Sequence, residues 1–338
     1  MSRRNDRGWR TGTTDDQARA FAEVAAAPHS KEARAHLVLA LQSPRALTAA
    51  RAARAIREHR IEGLDAELGA AFARFLENPV KTDPGCTAKL AALEALDYGE
   101  SMDEGPFLRG VRTFQLEGAW GPPEDTAAGV RARAIVALAR LGVGDFELLC
   151  AERLCDPTPP VRQAAAEALA HRGVRSGAAL ALLKLRTGDE DPMVLLSCMS
   201  TLLALAPDVG LEEVCRDLDG PNKERREVAA LALGESRLDD ALTALLGAYA
   251  RCIRPTERAL LLQAVALHRS DRALDALLRT IATARPADAR AAIAALAPRK
   301  HEPGLAGRVR QAAAENAQED VGALVRTTFS DDDEVDGP

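Results

Sequence analysis

A stripe of small apolar residues returns through this chain at intervals of little more than thirty residues, and that recurrence limits the fold more than any other feature of the sequence. The stripe occupies offsets 0, +4, +7 and +8, which is one face of an α-helix. It is filled by Val130, Ala134, Ala137 and Leu138, then by Val161, Ala165, Ala168 and Leu169, then by Val194, Cys198, Thr201 and Leu202. Weaker copies start at Arg225 (Ala229, Ala232, Leu233), at Ala259 (Gln263, Ala266, Leu267) and at Ala287 (Ala291, Ala294, Ala295). The steps between starts are 31, 33, 31, 34 and 28 residues. A period in that range holds two helices of ~12 residues and two short turns.

The second helix of each unit is legible between the stripes, at Asp145 to Leu154, Ser176 to Arg186, Leu211 to Leu218, Asp239 to Ala250 and Asp271 to Ala282. Asp156-Pro157, Asp191-Pro192, Gly220-Pro221, Arg254-Pro255 and Arg285-Pro286 each precede a stripe helix. Proline is tolerated at the first position of a helix and disfavours helix just upstream, so it punctuates the units. Ala and Leu supply about a third of the residues and aromatics only 3%. Those two lead the helix-propensity ranking while strand formers are scarce, which argues against any sheet-based fold. The expected fold is all-α, a right-handed α-solenoid of antiparallel helix pairs.

The segments Asp156-Pro157-Thr-Pro-Pro-Val161-Arg162 with Ala165, Ala168 and Leu169, and Gly129-Val130-Arg131 with Ala137 and Leu138, resemble HEAT repeats. Specifically, they resemble the short bacterial repeats related to the phycobilisome-lyase type. The resemblance covers about 125–300 clearly and 30–100 loosely. It implies a HEAT-like superhelix, in a family that includes adaptors, scaffolds, chromophore lyases and alkylpurine DNA glycosylases. Asp125 precedes Arg131 by six residues, as Asp156 precedes Arg162. An Asp in the turn and an Arg at the next helix start can pair between neighbouring repeats as a structural ladder, with the acid favoured near a helix N-terminus. Leu195 and Leu260 stand where Arg would follow in later units, so the ladder is expected to be strongest in the middle of the array.

Towards the N-terminus the stripe appears as Ala33, Leu37, Ala40, Leu41, then Thr48, Ala52, Ala55, Ile56, then Ala88, Ala92, Ala95, Leu96. From Ala88 to Val130 the spacing is 42 residues, and the excess falls at 97–125. That segment gathers four of the eleven aromatics, five Gly and three Pro. Phe107 to Leu116 reads as one amphipathic helix carrying Arg109 and Arg112 at i,i+3. Aromatic and Arg side chains dominate binding hot spots, and loops on a rigid scaffold often carry recognition. Phe107, Arg109, Arg112, Phe114 and Trp120 are therefore the candidate partner-binding residues. The competing expectation is that the rings plug a gap between irregular repeats.

The chain is expected to comprise a disordered basic arm (1–14), irregular helical repeats (15–96), the insertion (97–125), regular repeats (126–327) and a disordered acidic tail (328–338). The net charge of −6 does not suggest a protein wrapped around nucleic acid. Arg3, Arg4, Arg7 and Arg10 are nevertheless followed by Arg45, Arg51, Arg54, Arg57 and Arg60, and three of these share a helix face that could meet phosphates. The six Cys lack CxxC spacing and read as buried small hydrophobes. No nucleotide-loop, hydrolase or zinc-protease motif occurs, and His301-Glu302 is the lone His-Glu pair. No catalytic residue, cofactor or metal is expected, nor a secretory signal or membrane span, so the expected location is cytoplasmic. The leading expectation is a non-catalytic scaffold holding a protein or peptide on a concave surface. A DNA-binding or alkylpurine-glycosylase-like module is the alternative, and a lyase-type accessory enzyme stands behind it.

Overall fold

The computed structural model describes residues 14–118, 121–316 and 318–329, with side chains from residue 18. The basic arm at 1–13, Trp120 and the acidic residues at 330–338 lie outside the described residues. The described fold is all-α, with one two-stranded hairpin as its exception. Among the described residues no helix is long and apolar enough to cross a membrane. The chain divides into two compact units, Met1–Arg172 and Gly173–Pro338, a boundary inside the stretch expected to be one regular array.

The first unit runs α1 (Thr14–Ala26), α2 (Lys31–Leu41), α3 (Ala46–Glu58), α4 (Asp65–Arg74), the one-turn α5 (Pro79–Thr82), α6 (Thr87–Tyr98), α7 (Glu104–Gly110), strands β1 (Leu116–Glu117) and β2 (Glu124–Asp125), α8 (Ala128–Leu141), α9 (Phe146–Leu154) and α10 (Pro159–Arg172). The stripe helices form one layer, α3 on α6, α6 on α8 and α8 on α10, and α2, α4, α7 and α9 cover its other side. All four residues of each stripe at Ala33, Ala88, Val130 and Val161 are buried. Alanine buries little area apiece, at roughly 25 cal/mol per Å². Stability therefore depends on helices approaching closely, and Ala is the commonest buried residue of both α3 and α6, which pack on each other.

The second unit runs α11 (Gly177–Thr187), α12 (Pro192–Leu205), α13 (Pro207–Leu218), α14 (Lys223–Ser236), α15 (Asp239–Arg251), α16 (Pro255–Leu267), α17 (Asp271–Thr283), α18 (Pro286–Leu296), α19 (Leu305–Ala314) and α20 (Glu319–Thr328). Here α12, α14, α16, α18 and α20 pack in succession, each paired with the preceding odd-numbered helix. At Gly234 a Cβ would strike the carbonyl of Ala264, so the backbones of α14 and α16 touch where only glycine fits. The fold does not stop at the expected tail: Phe329, directly after α20, is buried and its carbonyl accepts from Arg310.

Two weaker stripes sit in a different register from the expected one. On α16 the buried positions are Leu261, Leu262, Ala264, Val265 and Ala266, so of the expected stripe only Ala266 is buried and Gln263 is exposed. On α18 they are Asp288, Ala289, Ala292, Ile293 and Leu296. The stripes therefore begin at Glu257 and Asp288, and the steps from Val130 become 31, 33, 31, 32 and 31 residues. The true period is more even than the sequence pattern suggests, because acids occupy the starting positions of these two stripes.

Candidate functional site

The 97–126 segment is built in three parts. Asp103 caps α7, its Oδ1 accepting from the Gly105 amide at 2.9 Å. The helix ends at Gly110 rather than continuing to Leu116, and a Cβ at Gly110 would press on Leu93 of α6 and Ala134 of α8. Val111 (φ −63°, ψ −18°) and Arg112 close a turn after the helix, and the strand begins only at Leu116; through this stretch burial alternates, with Val111, Thr113 and Gln115 buried and Arg112, Phe114 and Leu116 exposed. A period of two does not fit the expected helix, and from Thr113 the chain leads into β1. The stretch ends in the hairpin, where Leu116 faces Asp125 and Glu117 faces Glu124.

The hairpin is pinned at its base by a polar network that sequence reasoning missed. Glu117 Oε1 accepts from Gln115 Nε2 at 2.5 Å, from the Thr126 hydroxyl at 2.7 Å and from the Gly85 amide at 2.7 Å. The Thr126 hydroxyl first, then the Gly85 amide and Gln115, hold its carboxyl below the usual range. Gln115 Nε2 also donates to the Asp83 carbonyl at 2.9 Å. Asp83 and Lys89 form a fully buried ion pair at 2.9 Å. The Asp83 carboxylate accepts from the amides of Ala88 and Lys89, which start α6, and Lys89 Nζ donates to the Phe75 carbonyl. Alternation over 111–116 is the one sequence signal that points to Gln115 as an inward side chain.

A second network centres on Arg131, whose side chain is fully buried. Its Nε and Nη2 donate to the two oxygens of Asp156, each at 2.9 Å. Nη1 donates to the Thr113 carbonyl at 3.0 Å and lies 2.6 Å from Asp125 Oδ2. The guanidinium rests 4.0 Å from the Phe114 ring centroid. Arg153 approaches the same ring at 5.7 Å and donates to the Val111 carbonyl. The ladder thus runs differently from expectation. Asp125 does meet Arg131, but the carboxylate of Asp156 faces back to Arg131, 25 residues earlier, and Arg162 donates to the main-chain carbonyls of Asp156 and Pro157. Nor does the pattern fade in later repeats, since Arg226 meets Glu257 at 2.8 Å and Arg258 meets Asp288 at 2.9 Å.

The five candidate partner-binding residues separate accordingly. Phe107 is wholly buried and belongs to the core, because the short α7 turns it toward α6 and α8. Phe114 is 49% exposed, with one face committed to Arg131. Arg109 and Arg112 are exposed, and neither makes an ion pair among the described residues. Trp120 lies outside the described residues. Leu116, which no sequence feature marks as a binding residue, is 64% exposed beside them. The carboxylates of Asp83, Asp125, Asp156 and Glu117 all face donors of the fold, so acid–base work has no open candidate among these four.

Of the six Cys expected to be buried, Cys86, Cys150 and Cys198 are, whereas Cys155 is exposed and Cys215 and Cys252 are half-buried. Burial pushes the Cys198 thiol up to about 12 and raises those of Cys86 and Cys150, which suits packing and not nucleophilicity. Among the described residues no group of three His, Cys, Asp or Glu is placed to hold a metal ion. No family model matches the chain, and no curated protein matches it either.

Proposed function

We propose that this chain is a non-catalytic helical-repeat scaffold, HEAT-like in construction, that takes a protein or peptide partner along the outward side of the 109–116 segment. The observation that carries the reading is that Arg109, Arg112, Leu116 and one face of Phe114 stand exposed on a base held by the Asp83, Gln115 and Glu117 network. An exposed aromatic and aliphatic pair beside two unpaired guanidiniums matches the composition of binding hot spots. A fixed base lowers the ordering cost of binding. The chemistry that complements it is an acidic segment with an apolar anchor.

The test is a charge reversal, Arg109→Glu with Arg112→Glu, assayed by partner recovery and by thermal melting. Lost recovery with an unchanged melt supports the reading, and unchanged recovery places the partner elsewhere. A titration with duplex DNA runs beside it. Tight binding with a steep salt slope would replace the scaffold reading by the nucleic-acid one.

A further inference from the structure

We propose that the first unit carries a binding pocket for a small organic polyanion, with the chemistry of a nucleoside diphosphate or triphosphate, between the start of α3 and the α5 turn. The pocket, of about 540 Å³, is lined by Arg45, Arg51 and Lys81 together with Phe21, Leu47 and Pro84. Its size lies within the range of small-molecule sites and well above what a lone orthophosphate fills. Among the described residues no Asp or Glu lines it.

The three cations differ from several neighbouring basic groups of this unit. Arg57 is paired with Glu94, Arg34 donates to the Glu62 carbonyl, and Arg74 donates to the carbonyls of Leu41 and Ser43. Those groups are spent on the fold. Arg45, Arg51 and Lys81 make no ion pair among the described residues. Arg51 lies with its guanidinium 4.3 Å from the Phe21 ring centroid, and its polar edge has no acceptor among the described residues. Three like charges facing one apolar-walled cleft repel one another and focus a positive potential there. A guanidinium presents a fork that matches phosphate oxygens, and an ammonium acts as a compact point charge beside it.

The apolar part of the lining argues for more than phosphate. Phe21, Pro44, Leu47 and Pro84 form it, and Leu47 is 75% exposed at the lip. A large aliphatic group left uncovered next to a stacked Arg–Phe pair suits a planar body lying across them. The Thr82 hydroxyl is turned to the Glu77 carbonyl, so it offers no donor to read the edge of a base. Phosphates therefore set affinity, and the base contributes by stacking with little discrimination. The basic helix face of the sequence analysis, Arg51, Arg54 and Arg57, is divided by the fold: Arg51 joins Arg45 and Lys81 here, while Arg57 pairs with Glu94.

Calorimetric titration of the whole chain with ADP, adenosine, pyrophosphate, a hexaglutamate peptide and a 12-nucleotide single strand tests this. The expected result is micromolar ADP binding, with pyrophosphate several-fold weaker and adenosine undetectable. Raising the salt should weaken ADP binding about tenfold. Arg51→Ala and Lys81→Ala should each lose at least tenfold, with Arg54→Ala on the same helix as the unchanged control. All of these side chains are exposed, and circular dichroism melts verify folding. If Arg51→Ala loosens the Phe21 contact, Lys81→Ala and Arg45→Ala still decide the question. Absence of ADP binding, binding indifferent to Lys81, or tighter binding of the peptide or the single strand would each overturn the proposal.

Discussion

Arg131 in the first unit and Arg258 in the second solve one problem with different parts. Both guanidiniums are bound by the two oxygens of an Asp, Asp156 and Asp288, at 2.9 Å. Both rest 4.0 Å from an aromatic centroid, Phe114 and Tyr249, and both send a remaining N–H to main-chain carbonyls. At Arg258 the ring belongs to α15, the regular partner helix, and the carbonyls to Tyr249 and Cys252 at that helix's end. At Arg131 the ring and the carbonyl come from the non-helical stretch that follows α7, with Asp125 added as a second acid. The insertion therefore performs the duty of a partner helix, and Phe114 owes its presence in part to the arginine beneath it. What remains unassigned to the fold is the outward edge, Arg109, Arg112 and Leu116.

The comparison is most sharply tested by removing the two arginines. Arg131 is fully buried between two carboxylates, so Arg131→Met leaves Asp125 and Asp156 without their cation and should cost ~3–5 kcal/mol. Arg258 is 13% exposed and its acid keeps Arg285 at 3.8 Å, so Arg258→Met should cost less, about 1–3 kcal/mol. Calorimetry, with hydrogen exchange to assign the loss to a unit, measures both. Equal losses would show that the second acid and the deeper burial add nothing at Arg131.

Removing the rings is the next step down. Phe114→Ala deletes a half-exposed cation–π contact worth ~0.5–2 kcal/mol. Tyr249→Ala removes a similar contact and additional packing on α16, so its loss should be at least as large. If Phe114→Ala leaves the melt unchanged, the ring serves something other than Arg131. That outcome would strengthen its assignment to a partner.

These pairs also show where the sequence is readable and where it is not. Stripes with Val at their start lie in the expected register, since a buried β-branched residue stands out among alanines. On α16 and α18 the starting positions are Glu257 and Asp288, acids that receive Arg226 and Arg258. With those positions polar, the alanine-rich helices offer several equivalent stripes, and the pattern slides by one or two residues. The insertion is illegible for a related reason. Its composition announces an irregular segment, but burial of Phe107 and the ring seat of Phe114 depend on contacts with α6 and α8 that no local pattern encodes. Gln115, Lys89 and Asp83 carry no motif at all.

Acid titration separates the two regions more finely. Glu117 is held low first by the Thr126 hydroxyl, and Glu257 first by the Arg226 guanidinium, then by Arg254. A depressed carboxyl contributes stability above its unfolded value, and that contribution is lost as pH falls through the folded value. Both residues should therefore titrate by NMR with midpoints below the ordinary glutamate value of roughly 4.3. Added salt should move the Glu257 midpoint up, because screening weakens its guanidinium partners, and should leave Glu117 nearly still, because its donors are neutral. A Glu117 midpoint at the ordinary value would mean that the hairpin base is not cradled.

The smallest expected effect on stability is at the outward edge, and its smallness gives it meaning. Arg109→Ala with Arg112→Ala removes exposed guanidiniums that hold nothing in the described fold, and such changes usually stay within about 0.5 kcal/mol. Arg153, on the inner side of the same ring, donates to Val111 and meets Asp156 at 3.4 Å, so Arg153→Ala is the matched control that should cost more. Melting temperatures of the two variants decide the matter. If the outer pair proves as costly as Arg153, the edge is part of the structural plug and the whole insertion is explained by Arg131. If it is silent in the melt, the two arginines have no work in the fold, and exposed charge beside Leu116 and Phe114 is left as a surface for recognition.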